Sequence, residues 1–151
     1  MNDFKLDLTF KAPAPKLYEA IATRQGIHDW WTNFVEYDER IGGVLLVKFP
    51  QAEFFAKMKI IALQPASYIE WKCLDAEHSV KSGFKNRRDW VGTHMRFEIA
   101  AIDKDTANLV FTHTILGALE CLESCTRGWN YFLGDSLRYL LESGKGFPAT
   151  E

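Results

Sequence analysis

A chain of 151 residues, 47% apolar and 25% charged, is sized for a single domain with a substantial core, and its net charge of -2 excludes a whole-surface attraction to nucleic acid or to an anionic membrane. Three cysteines, Cys73, Cys121 and Cys125, with no Cys-x-x-Cys pair, exclude a disulfide framework and a zinc ribbon. The aromatic share of 14%, with Trp 5 and Phe 11, calls for either a large core or a lined cavity.

Phe4 to Lys11 alternates without a fault, Phe4, Leu6, Leu8 and Phe10 against Lys5, Asp7, Thr9 and Lys11, which predicts a half-buried strand. The N-terminus lacks a basic region followed by an apolar run, and no apolar stretch approaches the ~18 residues of a membrane span, so a cytoplasmic address is expected. Pro13 and Pro15 stop the strand, and Leu17, Tyr18, Ile21 and Ala22 predict a short helix from Pro15 to about Arg24, broken by Gly26. Ile27 to Trp31 reads as one further helical turn.

Strands follow at Phe34–Tyr37, Val44–Phe49, Phe54–Leu63 and Tyr68–Leu74, joined by Gly42-Gly43 and Pro65-Ala66-Ser67 turns. The stretch Ala76–Val91 is long for a hairpin connection, and its core, Glu77 to Asp89, carries Lys81, Lys85, Arg87 and Arg88. Two more strands, Gly92–Ile102 and Ala107–Ile115, place Thr93, Met95, Phe97 and Ile99 on one face and His94, Arg96 and Glu98 on the other. From about Leu119 to Ser143 a wide apolar stripe at three-and-four spacing predicts the longest helix, ended by Gly144 and Gly146, with Gly128 inside it either to allow close packing or to start the strongest part of the helix.

An antiparallel meander with one apolar face needs a cover, and the last helix alone is long enough to provide it. The expected fold is therefore α+β: a curved antiparallel sheet wrapped around a long C-terminal helix, with two short helices after the first strand. Residues 1–151 form one domain.

Four stretches carry a resemblance. They are Pro15–Ile21 with Trp30-Trp31; Trp90-Val91-Gly92-Thr93 leading to Arg96–Ile99; Phe111-Thr112-His113; and Gly128-Trp129, Ser136-Leu137 and Gly144–Pro148. In this order they resemble the START-like (SRPBCC) helix-grip domains, which include the birch-pollen allergens, and within them the branch named after homologues of the heat-shock-protein-90 ATPase activator. The resemblance implies a helix-grip fold. The superfamily's activities range over ligand carriage, chaperone regulation, aromatase and cyclase chemistry and oxygenase subunits, so the fold does not settle function. The loop at His78 to Arg88 departs from the branch's compact turn.

A gap between sheet and C-terminal helix is the expected site for a hydrophobic small molecule, with Trp31, Met58, Trp71, Met95, Phe97, Phe111, His113, Trp129, Phe132 and Leu133 as its candidate lining. His113 is its polar member, able to bond a ligand or shuttle a proton, against the plainer reading of a satisfied strand-end histidine. A protein-interaction module of the chaperone-regulating kind is the alternative. An aromatase- or cyclase-like enzyme relying on His113, Glu98 and Arg96 ranks below both. No catalytic residue, metal or cofactor is assigned: His28 and Asp29 would splay apart, His78 stands alone in the long loop, and the serines lack a nucleophile-elbow context. Cys121 and Cys125 read as buried free thiols. The basic loop, with only Phe84 and Trp90 beside it, is too small for nucleic-acid binding. Both a monomer and a homodimer are compatible with the sequence.

Overall fold

The N-terminal alternation becomes β1 (Phe4–Phe10), with Phe10 fully buried and Lys5, Asp7 and Thr9 in solvent. The computed structural model describes residues 2–150. α1 (Ala14–Ala22) starts at the two prolines and buries Leu17, Ala20 and Ile21. The break after it lies at Thr23 rather than at Gly26. Thr23 is extended, and its hydroxyl accepts the Gly26 N–H (3.1 Å), capping α2 (Arg24–Trp30). Gly26 sits inside α2 for a packing reason: a Cβ there would stand 2.3 Å from the Ala20 carbonyl oxygen.

Six further strands follow: β2 (Phe34–Tyr37), β3 (Val44–Phe49), β4 (Phe54–Gln64), β5 (Tyr68–Glu77), β6 (His94–Asp103) and β7 (Thr106–His113). They form one antiparallel sheet in the order β1-β7-β6-β5-β4-β3-β2, so the first strand closes against the last and the rest is a meander. Register shifts between β4 and β5, at Lys57/Met58 and Ile60/Ala62, are bulges that bend the strands and help curve the sheet.

The C-terminal helix is three segments in one run: α3 (Leu122–Trp129), a π-helical stretch (Asn130–Leu137) and α4 (Arg138–Ser143). Cys125, Trp129, Leu133, Leu137 and Leu141 recur every four residues, a longer step than the ~3.6 of an α-helix, and the wider π turn keeps such a row on one face. Arg138 fastens this helix to β1, bonding the Thr9 carbonyl (2.7 Å) and lying over the Phe10 ring at 4.8 Å. Beyond Gly144, in the left-handed conformation, the tail returns to α2. The Ser136 hydroxyl donates to the Trp30 carbonyl (2.7 Å) and accepts the Phe147 N–H (2.6 Å), and Ala149 pairs with Thr32. No helix among the described residues is long and apolar enough to cross a membrane.

Candidate functional site

The site is built from three connections at one end of the sheet. The β3–β4 turn is a 3-10 turn (Pro50–Ala52) ending at Glu53 in left-handed backbone. The β5–β6 loop contains a second such turn (Val80–Ser82). The third is the segment leading into α3. Glu120 accepts the amides of Lys85 (3.0 Å) and Asn86 (2.7 Å), which holds its carboxyl below the usual range and clasps the long loop to the helix start. Across the mouth, the Ser79 hydroxyl donates to Glu53 (2.8 Å) and Lys81 lies 3.4 Å from the same carboxylate. The loop's cations are largely neutralised in place: Lys81 faces Glu53, Arg87 faces Glu77 (3.3 Å) and Arg88 pairs with Asp75.

These connections border an open cavity of about 700 Å³. Its walls are aromatic: Trp31, Phe49, Phe54, Phe84, Trp90, Trp129 and Phe132, with His78 and Cys125 among them and a polar rim that includes Glu53, Lys81 and Arg127. The rings are continuous with the core. Trp31 stacks on Trp30 and on Trp71 (centroids 5.5 and 5.7 Å), meets Trp129 at 5.3 Å, and Trp129 stacks on Trp90 at 5.8 Å, so all five tryptophans form one connected array. Gly128 also lines the cavity, and a Cβ there would meet nothing within 4 Å. The close approach expected at Gly128 is absent; its bare Cα leaves room in the cavity instead.

Of the ten lining candidates named from sequence, Trp31, Trp129 and Phe132 stand on this wall. Met58, Trp71, Met95, Phe97, Phe111, His113 and Leu133 are fully buried in the core and off it. Large rings close the space under the helix: Trp71 to Phe97 at 4.7 Å, Phe97 to Phe111 at 5.0 Å, Phe111 to Trp129 at 4.4 Å. Room remains where the turn and the loop form the walls. Phe49, Phe54, His78, Phe84 and Gly128 were therefore not foreseen as lining, whereas Trp90 belongs to the tryptophan set read from sequence as possible pocket wall. The unusual loop length and the aromatics Phe84 and Trp90 at its end were the available signals.

His113 is a satisfied core histidine. Trp129 Nε1–H donates to its Nδ1 (3.0 Å), so the ring proton sits on Nε2 and goes to Thr93 Oγ1 (2.9 Å), whose own proton goes to the Trp90 carbonyl (2.7 Å). Burial pushes its pKa down to about 3, and it stays neutral. Arg96 and Glu98 alternate onto the outer face, opposite Glu70 and Tyr68. There Glu70 gathers His94 (2.6 Å), Tyr68 (2.6 Å) and Arg96 (3.7 Å); burial works to raise its pKa, and these partners hold it low. None of the three acid–base candidates touches the cavity.

A second polar group does. His78 Nε2 bonds Asp89 Oδ1 (2.9 Å), and Asp89 Oδ2 accepts the Cys121 amide (3.2 Å). Burial works to lower the His78 pKa, but Asp89 and Cys121 outweigh it and lift it to about 9. The Cys121 thiol is pushed up by its Cys125 neighbour and by burial. The ligating atoms of His78, Cys121 and Cys125 lie within 4.8 Å of one another; the spacing of four relates the two cysteines on one helix face, but nothing in the sequence relates His78 to them.

A seven-stranded antiparallel sheet gripping a C-terminal helix, with the first strand closing on the last, defines a START-like helix-grip domain. Residues 11–142 match the family described as Activator of Hsp90 ATPase homolog 1-like protein, and the chain belongs to that family. Among solved structures it is similar to the Aha1 dimer of Colwellia psychrerythraea, with 25% identity, 97% of this chain and 100% of that one covered, and TM-score 0.77. DynU16, a putative protein of the dynemicin biosynthetic locus, matches at 16% identity over 97% of this chain and 49% of its own, with TM-score 0.70. Protein SSP2350 of Staphylococcus saprophyticus matches at 16%, over 98% and 97%, with TM-score 0.69. No curated protein is matched.

Proposed function

We propose that this protein binds a hydrophobic small molecule in the cavity at the end of the sheet. The observation that carries this reading is the aromatic-walled space of about 700 Å³ with a bare glycine of α3 facing it. Small-molecule sites typically run about 300–1,000 Å³, mostly apolar with a few polar groups. Gly128 costs the helix about 1 kcal/mol against Ala, and no packing contact requires it. Retaining space for a ligand accounts for that cost. Flat or lipid-like molecules suit the stacked rings, and the Glu53, Lys81 and Arg127 rim suits a polar end group.

The test is titration with the apolar dye ANS, read by dye emission and tryptophan quenching. Saturable binding by the wild type, lost in a folded Gly128→Leu variant that fills the space, supports the reading. No binding, or equal binding by both, overturns it.

Family membership favours a second reading, contact with a chaperone ATPase through the exposed aromatic pair Tyr139 and Phe147 beside the docked tail. Stimulation of Hsp90 ATPase activity, lost on Tyr139→Ala, would favour it. Dimerisation, named for the Colwellia protein, belongs with this reading and is tested by light scattering.

A further inference from the structure

His78, at the start of the β5–β6 loop, Cys121, just before α3, and Cys125, one turn into it, bring three soft donors to one point beside the cavity. We propose that His78, Cys121 and Cys125 form a binding site for a thiophilic divalent cation, zinc above all, with the fourth coordination position facing the cavity.

The donor set is the first support. One imidazole and two thiolates are ligands that zinc takes readily. A tetrahedral ion with bonds of about 2.0–2.3 Å holds its donors about 3.3–3.8 Å apart, so a group already within 4.8 Å needs a contraction of about 1 Å or so, within reach of small side-chain rotations.

The surroundings supply the second support. Asp89 engages His78 Nε2 and the ring also bonds the Cys121 side chain, so Nδ1 is the nitrogen left to ligate once its proton is lost. The same carboxylate accepts the Cys121 amide through its other oxygen, so one buried acid orients both a ligand ring and a ligand backbone. A carboxylate on the far nitrogen of a ligating histidine is the usual outer partner of a zinc site. The Trp90 indole N–H points at Cys125 Sγ (3.2 Å), a donor that stabilises thiolate charge once a metal has displaced the proton.

Access is the third. His78 and Cys125 stand on the cavity wall, whereas Cys121 is fully buried behind them. An ion therefore enters from the cavity and keeps one face toward it. Three protein ligands with an open position is the arrangement of reactive or exchangeable zinc rather than of closed structural zinc. Binding is a ligand exchange: two thiol protons and the second ring proton of His78 leave to solvent, the ion sheds water, and nothing is oxidised or reduced. The proposal stands whether or not the cavity also takes an apolar molecule, and its test reads the metal alone.

The experiment uses the full chain, reduced and stripped with a chelator, titrated with cobalt(II) and then with zinc. Expected are a saturable visible absorption of tetrahedral, thiolate-bound cobalt at one ion per chain and its loss on adding an equivalent of zinc. Cys125→Ser and His78→Gln should abolish the thiolate spectrum or weaken binding strongly, Asp89→Asn should weaken it about 10–100-fold, and His28→Gln, outside the cluster, should change nothing. Near-UV circular dichroism establishes which variants fold; Cys125, only partly buried, is the substitution that best preserves packing. No thiolate-bound cobalt in the folded wild type overturns the proposal, as does binding that survives in the Cys125→Ser and His78→Gln proteins. The first result would leave Cys121 and Cys125 as hydrogen-bonded thiols only.

Discussion

Replacing His113 with Gln should change how the protein's stability depends on pH. The native ring is fully buried, with Nδ1 occupied by the Trp129 N–H and Nε2–H given to Thr93. A second ring proton would face the Trp129 donor without solvent, and burial holds the pKa at about 3 against 6.5 for the ordinary group. Between those values the unfolded chain binds a proton that the folded chain refuses. The sign follows: this stabilising contribution is complete above about pH 6.5 and is lost as pH falls, by up to about 1.4 kcal/mol per unit. From about pH 7.5 to about pH 5 the loss comes to about 2 kcal/mol. Near neutrality, Gln should cost about 1–3 kcal/mol through poorer satisfaction of the Trp129 and Thr93 groups. Urea unfolding of both proteins at the two pH values isolates the effect, because other titrating groups largely cancel in the difference. The stability gap should shrink by about 2 kcal/mol at the lower pH. A gap that stays constant or widens refutes the neutral-histidine assignment.

Ser136→Ala should cost about 1–3 kcal/mol, chiefly for the buried Trp30 carbonyl it strands, and by releasing the part-buried Phe147 N–H should speed amide exchange at Phe147 and Ala149. Two glycine substitutions should have opposite signs in thermal melts. Gly26→Ala drives a Cβ against Ala20 backbone and should destabilise by about 1–3 kcal/mol, whereas Gly128→Ala enters open space in a helix and should stabilise by about 1 kcal/mol. Glu120→Ala removes the acceptor of two loop amides, and hydrogen exchange at Lys85 and Asn86 should accelerate while the sheet's protection stays unchanged.

The fold was legible because its signals are local and periodic. β1 alternates, β2 and β3 appear at their foreseen ends, and the row Cys125 to Leu141 announces a long helix. Two of the interior helical glycines were harder: neither spacing nor propensity separates a close approach at Gly26 from an open wall at Gly128, since the difference lies in what stands opposite. The same limit governs the cavity. Inward-facing large residues such as Phe97, Phe111 and Trp71 read alike as wall or filling, and the contacts among them close the space under the helix. The cluster of His78 with Cys121 and Cys125 depends on how the long loop folds back onto the helix start, through Asp89 and Glu120, which no spacing encodes.

Native mass spectrometry of the gently purified protein, wild type beside Gly128→Leu, tests the cavity reading most directly. A bound apolar molecule on the wild type that is released on denaturation and missing from the folded variant is the expected result. Wild-type protein free of any adduct that also fails to take up ANS, or an adduct carried equally by the filled variant, would contradict it.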